Sequence, residues 1–99
     1  MSTPERPIPE PRFPLGQTLA TPGALAALSQ AEQTPDEFLA RHHAGDWGDL
    51  VEEDIAENEL SLEKGFRLLS AYQLNSGVRI WIITEADRSA TTILLPSEY

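Results

Sequence analysis

Hydrophobic residues in the first two thirds of the chain recur at helical spacing between capping signals and stops. Thr21-Pro22 is typical of an N-cap followed by a first-turn proline, and Thr34-Pro35-Asp36-Glu37 is a capping box. Asp49 is expected to cap a third helix with Glu52 three residues later. The pattern predicts helices over residues 21–32, 34–45 and 49–65, the second and third stopped by glycines.

From Phe66 onward the hydrophobic period changes from 3.6 to two. Residues 66–74, 78–85 and 90–95 are rich in β-branched, aromatic and leucine residues, and short polar connections separate them. Two tight connections favour an antiparallel meander. The predicted fold is therefore α+β, with about three N-terminal helices followed by a three-stranded antiparallel β-meander.

Residues 1–14 carry five prolines and four charged residues, a composition that favours neither helix nor sheet. We expect residues 1–14 to form a disordered proline-rich arm and residues 15–99 to form a single α+β domain. Phe13 and Leu15 are the expected points at which this arm docks on the domain.

Composition excludes several classes of protein. The chain has 99 residues and no cysteine, so it has neither a disulfide framework nor a thiolate metal site. No apolar run is long enough to cross a membrane, and the N-terminus lacks the pattern of a signal peptide. We expect a cytoplasmic protein with no membrane association and no cofactor.

Two adjacent histidines, His42 and His43, precede Asp46 and Asp49 and raise the question of a metal site. Adjacent helical side chains point about 100° apart, so both histidines cannot face one ion without distortion. His42 also shares the inward face of its predicted helix with Phe38 and Leu39. We therefore expect a partly buried structural histidine and no metal site.

Charge is the strongest clue to a partner. The formal net charge is −9, and eight of the sixteen carboxylates but none of the seven Lys or Arg residues lie within residues 46–63. Such a block repels phosphate, which argues against direct nucleic-acid binding, and attracts cationic surfaces. The candidate binding residues are Asp46, Trp47, Asp49, Glu52, Glu53, Glu57 and Glu59.

The acidic segment admits three interpretations: a solvated face, a surface that binds a basic protein, and a mimic of the DNA phosphate track. Trp47 can likewise be a plug over the core at a turn between helices, or an anchor at the centre of an interface. The sequence leaves these alternatives open.

A second candidate site is the connection at residues 84–89, which gathers Glu85, Asp87 and Arg88. Acid, base and electrophile types are present there, and loops at strand ends often hold sites. Asp and Ser are also common turn formers, and Glu85 can simply pair with Arg88. Because no histidine is placed to complete the machinery, no residue is assigned as catalytic.

Several segments together resemble a family of small bacterial proteins found on plasmids and integrative elements. They are FPLGQ at 13–17, ATPGAL at 20–25, HHAGDWGDL at 42–50, GFRLLSAY at 65–72, IWIITEADRS at 80–89 and LLP at 94–96. The resemblance implies a bacterial setting and an accessory role for a mobile element. It brings with it no activity, cofactor or catalytic residue.

The leading hypothesis is thus a non-enzymatic accessory protein that binds a basic or DNA-handling protein through the acidic helix. The alternatives are a DNA mimic that inhibits a host nuclease or restriction enzyme, and a small enzyme or toxin acting on RNA through the 84–89 loop. A homodimer through the sheet face that bears Arg79, Trp81 and Ile83 is also possible if that face is uncovered.

Overall fold

The computed structural model describes residues 11–99; the first ten residues of the predicted arm lie outside the described part. The fold is α+β. Its elements in chain order are β1 (Gln17–Ala20), α1 (Pro22–Gln30), α2 (Pro35–His43), α3 (Glu52–Lys64), β2 (Leu68–Gln73), β3 (Arg79–Thr84), β4 (Ala90–Leu94) and a 3₁₀ turn (Pro96–Glu98). None of the helices within residues 11–99 has the length and apolar character needed to cross a bilayer.

The sheet has four strands in the order β1-β4-β3-β2. Strands β2, β3 and β4 form the predicted antiparallel meander, with Leu68 opposite Thr84 and Ile82 opposite Ile93. The prediction of a three-stranded sheet is wrong, because β1 adds a parallel strand on β4. Only a long-range pairing stabilises this short segment, so the local sequence pattern does not reveal it.

The helix ends confirm most of the predicted caps. The Oγ1 of Thr21 accepts a hydrogen bond from the Ala24 N–H at 3.1 Å, and α2 begins with the predicted capping box. Gly65 ends α3 in the left-handed conformation with φ of 79°. The predicted cap at Asp49 is wrong: α3 begins at Glu52 with Val51 as its N-cap residue, and Asp49 lies in the preceding segment that bridges to β2, where its N–H donates to the Ala71 carbonyl at 2.7 Å.

The core lies between the helices and one face of the sheet. Leu28, Phe38 and Ile82 belong to its main cluster. A second cluster joins Phe13 to Trp47 and Leu68. Phe13 is 6% exposed, which confirms the predicted docking point and places packed residues inside the predicted arm.

Candidate interaction surface

The segment around Gly48 forms a bridge with the outer edge of β2. The Ala71 N–H donates to the Trp47 carbonyl at 3.1 Å, and the Ala71 carbonyl accepts from Asp49 as described above. Gly48 has φ of 75°, and a Cβ there would collide with the Ala71 carbonyl oxygen. Glycine is therefore required at this position both for its backbone angle and for the close approach of the two chains.

Asn58 of α3 pairs with the same edge one step along β2. Its Nδ2 donates to the Leu69 carbonyl at 2.6 Å, and its Oδ1 accepts from the Leu69 N–H at 3.1 Å. The side chain, only 4% exposed, thereby imitates a neighbouring strand. The outward-facing backbone groups of Ala71 are thus satisfied by Trp47 and Asp49, and those of Leu69 by the Asn58 side chain, which covers this part of the edge.

Trp47 is a core residue. Its side chain is 4% exposed, and its ring stacks on Phe13 with 6.0 Å between centroids. The indole Nε1–H donates to the Glu59 carboxylate at 2.9 Å. The prediction of Trp47 as a partner anchor is thus corrected, because almost none of the ring is available to a partner; the alternative of a plug over the core is what the structure shows.

Two of the candidate carboxylates are bound within the protein. Glu59 accepts two hydrogen bonds from the Arg12 guanidinium, at 2.8 and 2.9 Å, and Arg12 together with Trp47 lowers the pKa of Glu59. Asp46 accepts from Arg41 at 2.7 Å and from the Gly48 N–H at 3.1 Å, and these donors lower the pKa of Asp46. Both carboxylates are paired within the protein, and about half of each side chain remains exposed, 46% for Glu59 and 51% for Asp46.

The remaining acid lies on the solvent side of α3. At 100° per residue, seven exposed residues fall on an arc of about 140°. We call this the outer α3 face; it consists of Glu52, Glu53, Ala56, Glu57, Leu60, Glu63 and, at its C-terminal end, Lys64. Among residues 11–99 none of its four carboxylates forms an ion pair. Leu60, 42% exposed, lies near the middle of the arc.

The outer α3 face carries more negative charge than the helix needs. Glu52 and Glu53 in the first turn favour the helix dipole; in the last turn Glu63 opposes it and Lys64 favours it. Glu53 and Glu57 are four residues apart, and such like-charged pairs destabilise a helix by about 0.2–0.5 kcal/mol. The arrangement is therefore suited to an external cation more than to helix stability. Asp49 and Asp54 are exposed beside this face.

The 84–89 loop is held to the end of α3 by Arg88. Its guanidinium donates to the carbonyls of Phe66 at 2.6 Å, Ser61 at 3.0 Å and Glu85 at 3.1 Å. The predicted ion pair between the Glu85 carboxylate and Arg88 is not among those that the described residues form. Since its donors are bound to backbone, Arg88 acts as a clamp between the loop and the helix.

Asp87 also serves the turn. Its Oδ1 accepts the Ser89 N–H at 3.0 Å, and hydrogen bonding to Ser89 lowers the pKa of Asp87. Glu85 is exposed to solvent. Glu85, Asp87 and Arg88 are neighbours in sequence, but their side chains have different surroundings. Arg88 contacts backbone carbonyls, Asp87 contacts the Ser89 N–H, and Glu85 faces solvent.

His42 is fully buried and lies in a chain of hydrogen bonds. Its Nδ1 contacts the Ser70 hydroxyl at 2.5 Å, and its Nε2 contacts the Thr84 hydroxyl at 2.8 Å. Thr84 in turn contacts Thr91 at 2.7 Å. The prediction of a structural histidine is confirmed, and the burial is complete where partial burial was expected. Ser70, Thr84 and Thr91 are all distant from His42 in sequence, so local patterns do not predict this chain of hydrogen bonds.

The direction of each hydrogen bond in this chain follows from its far end. The Thr91 hydroxyl donates to the Leu15 carbonyl at 2.7 Å, so its oxygen accepts from Thr84. Thr84 has then used its only hydrogen and accepts from the Nε2–H of His42, whose Nδ1 accepts from Ser70. Burial, reinforced by His43 and Arg88, lowers the pKa of His42 to about 3, so the ring is neutral.

The sheet face proposed for a homodimer is covered in part by the chain itself. Tyr99 packs edge-on against Trp81 with ring centroids 5.6 Å apart, and the Arg67 guanidinium lies 5.4 Å from the Tyr99 ring. Ile83 is buried, Trp81 is half-buried and Arg79 is exposed. Tyr99 is itself 63% exposed and lines a cleft with Trp81 and Ile83, so this face keeps an apolar surface.

Across residues 11–99, no group of three or more His, Cys, Asp or Glu side chains is arranged to hold a metal ion. No protein-family model, curated protein or solved structure matches the chain. The outer α3 face is therefore the candidate interaction surface.

Proposed function

We propose that this chain is a non-enzymatic accessory protein that binds a basic protein partner through the outer α3 face. The observation that supports the proposal is an exposed apolar centre, Leu60 with Ala56, flanked by four carboxylates that have no ion pair among residues 11–99. The setting on a bacterial mobile element is part of the proposal and rests on the sequence resemblance.

The apolar centre favours a protein partner over a purely solvated face. Protein interfaces combine a desolvated apolar centre with a polar rim, and complementary charge raises the rate of association. On this face, Leu60 supplies the apolar centre. Glu52, Glu53 and Glu57 supply the polar, charged rim.

The two alternatives receive less support. A mimic of the DNA phosphate track needs spaced negative charge but no apolar centre, so Leu60 favours a basic protein surface that contains an apolar residue. An enzyme using the 84–89 loop needs donors free to meet a substrate, whereas the Arg88 guanidinium is bound to backbone carbonyls.

The test is a charge reversal with a matched control. Glu53→Lys/Glu57→Lys changes the outer α3 face, and Glu32→Lys/Glu85→Lys makes the same change of net charge at exposed sites elsewhere. Each tagged protein is used to capture partners from lysate of the host bacterium over a series of salt concentrations. The captured protein is then purified and its affinity for each variant is measured.

We expect a basic protein that binds the wild type and the control but loses affinity at least about tenfold for the outer-face variant. Leu60→Ala should weaken the same complex. Equal binding by all variants would overturn the proposal. Displacement of the chain by duplex DNA, with Leu60→Ala having no effect, would support the DNA mimic instead.

A further inference from the structure

The outer edge of β1 has unpaired backbone groups. The N–H of Gln17 donates to Ser89 and that of Thr21 donates to Ile93, both at 3.0 Å, so alternate residues of β1 face β4. The backbone groups of Thr18 and Ala20 therefore point away from the sheet. Neither residue makes a further backbone hydrogen bond among residues 11–99.

Apart from its short length of four residues, the segment lacks the devices that usually protect such an edge. Gln17–Ala20 contains no charged residue and no proline, and its register with β4 is continuous without a bulge. Part of the opposite edge of the same sheet is covered by the Gly48 segment and Asn58. One edge is thus covered in part and the other is left able to pair.

A cleft of about 200 Å³ lies between β1 and α2, beside the open edge. Its main lining residues are Thr18, Ala20, Ile93, Pro35, Asp36 and Leu39. A strand added to β1 would direct every second side chain toward the helix side of the sheet, where this cleft lies. The lining of the cleft is about equally polar and apolar, and it has one carboxylate, that of Asp36.

We propose that this groove binds an extended peptide segment of a partner protein by strand addition to β1, with an apolar side chain in the cleft and a Lys or Arg beside Asp36. Backbone hydrogen bonds to Thr18 and Ala20 supply affinity, and the cleft supplies selectivity. Asp36 has no ion pair among residues 11–99, and the net charge of −9 favours a cationic segment over a second copy of this chain.

The probe is the synthetic peptide acetyl-Ser-Lys-Thr-Val-Thr-Lys-Ser-amide, in which valine and both lysines share one face of a strand. The control peptide has glutamate in place of both lysines. Binding is followed by amide NMR of the full chain. We expect the lysine peptide to shift the Thr18 and Ala20 amides and the glutamate peptide to bind more weakly.

Three protein variants test the mechanism. Thr18→Pro removes one outward N–H and should weaken binding about tenfold, whereas Thr18→Val keeps it and should bind normally. If Thr18→Pro does not fold, Asp36→Lys tests the groove instead, with Glu85→Lys as the matched control. Loss of affinity for the lysine peptide in Asp36→Lys alone supports the proposal.

Two other outcomes would overturn the proposed strand addition to β1. Shifts confined to the outer α3 face would show that the peptide is recognised only by the acidic helix. Concentration-dependent dimerisation with protected Thr18 and Ala20 amides would show that a second copy occupies the edge. Because Glu53→Lys/Glu57→Lys leaves the groove unchanged, it should still bind the peptide, which separates this proposal from the proposed function.

Discussion

Residues 46–63 form one acidic stretch, but its two sides have different roles. On the inner side, Asp46, Asn58 and Glu59 make hydrogen bonds that fasten loops and the β2 edge. On the outer side, Glu52, Glu53 and Glu57 have no ion pair within residues 11–99. Carboxylates thus stabilise the fold on one side of the stretch and are left to meet another molecule on the other side. Composition alone does not distinguish these two roles.

The largest effect on the inner side is expected at Gly48. Gly48→Ala combines a positive φ with a collision against the Ala71 carbonyl, so we expect a loss of about 3 kcal/mol or more in the free energy of unfolding. Gly65→Ala is the control, because φ is also positive there but no atom lies within 4 Å of the added Cβ. It should cost about 1–2 kcal/mol. Urea unfolding of both variants measures the difference, and equal losses would contradict the close approach at Gly48.

A smaller loss is expected when Asn58 is replaced. Asn58→Leu keeps a side chain of similar size but leaves the Leu69 N–H and carbonyl without partners. We expect it to lower the free energy of unfolding by about 2–3 kcal/mol. The neighbouring outer-face substitution Glu57→Leu should change stability by no more than about 0.5 kcal/mol. Thermal or urea unfolding compares the two. Similar effects would mean that α3 is not divided into a structural and a free side.

The third prediction concerns pH and His42, whose ring packs against Trp47. The pKa of His42 falls from its ordinary 6.5 to about 3 on folding, so below pH 6.5 the unfolded chain binds the extra proton. The contribution of His42 to the free energy of unfolding is therefore fully present above pH 6.5. Below pH 6.5 the free energy of unfolding should fall by about 1.4 kcal/mol per pH unit, or by about 2 kcal/mol in total at pH 5.

Urea midpoints between pH 7.5 and 5 measure this slope, above the range in which the carboxylates of lowered pKa matter. In His42→Gln the slope should flatten. Ring-nitrogen NMR of the wild type at pH 5 should show a neutral His42 with its hydrogen on Nε2. A charged ring at pH 5, or a hydrogen on Nδ1, would contradict the directed chain of hydrogen bonds.

Local signals predicted the elements that depend on local interactions. Thr21 and the capping box at Thr34 begin helices, and Gly65 ends one, because these residues satisfy or terminate nearby backbone groups. The three antiparallel strands likewise follow from alternating side chains and short connections. These interactions span a few residues, so the sequence pattern contains them.

The errors arise where distant pairing wins over local preference. Asp49 is a good capping residue, but its N–H pairs with Ala71, and the helix starts later. Gln17–Ala20 has a weak strand pattern and becomes a strand only against β4. At the candidate site, the acidic segment and the alternative of Trp47 as a plug over the core were predicted, whereas the contacts of Trp47 with Phe13 and of Glu59 with Arg12 were not.

The parallel pairing of β1 with β4 also bears on how the chain is made. The Thr91 hydroxyl reaches the Leu15 carbonyl across a separation of 76 residues, so the ribosome must synthesise the chain through β4 before β1 can find its neighbour. Until then the segment before α1 has no sheet to join, and the open groups on both of its sides are exposed. The first strand to be synthesised is therefore expected to be among the last to be placed.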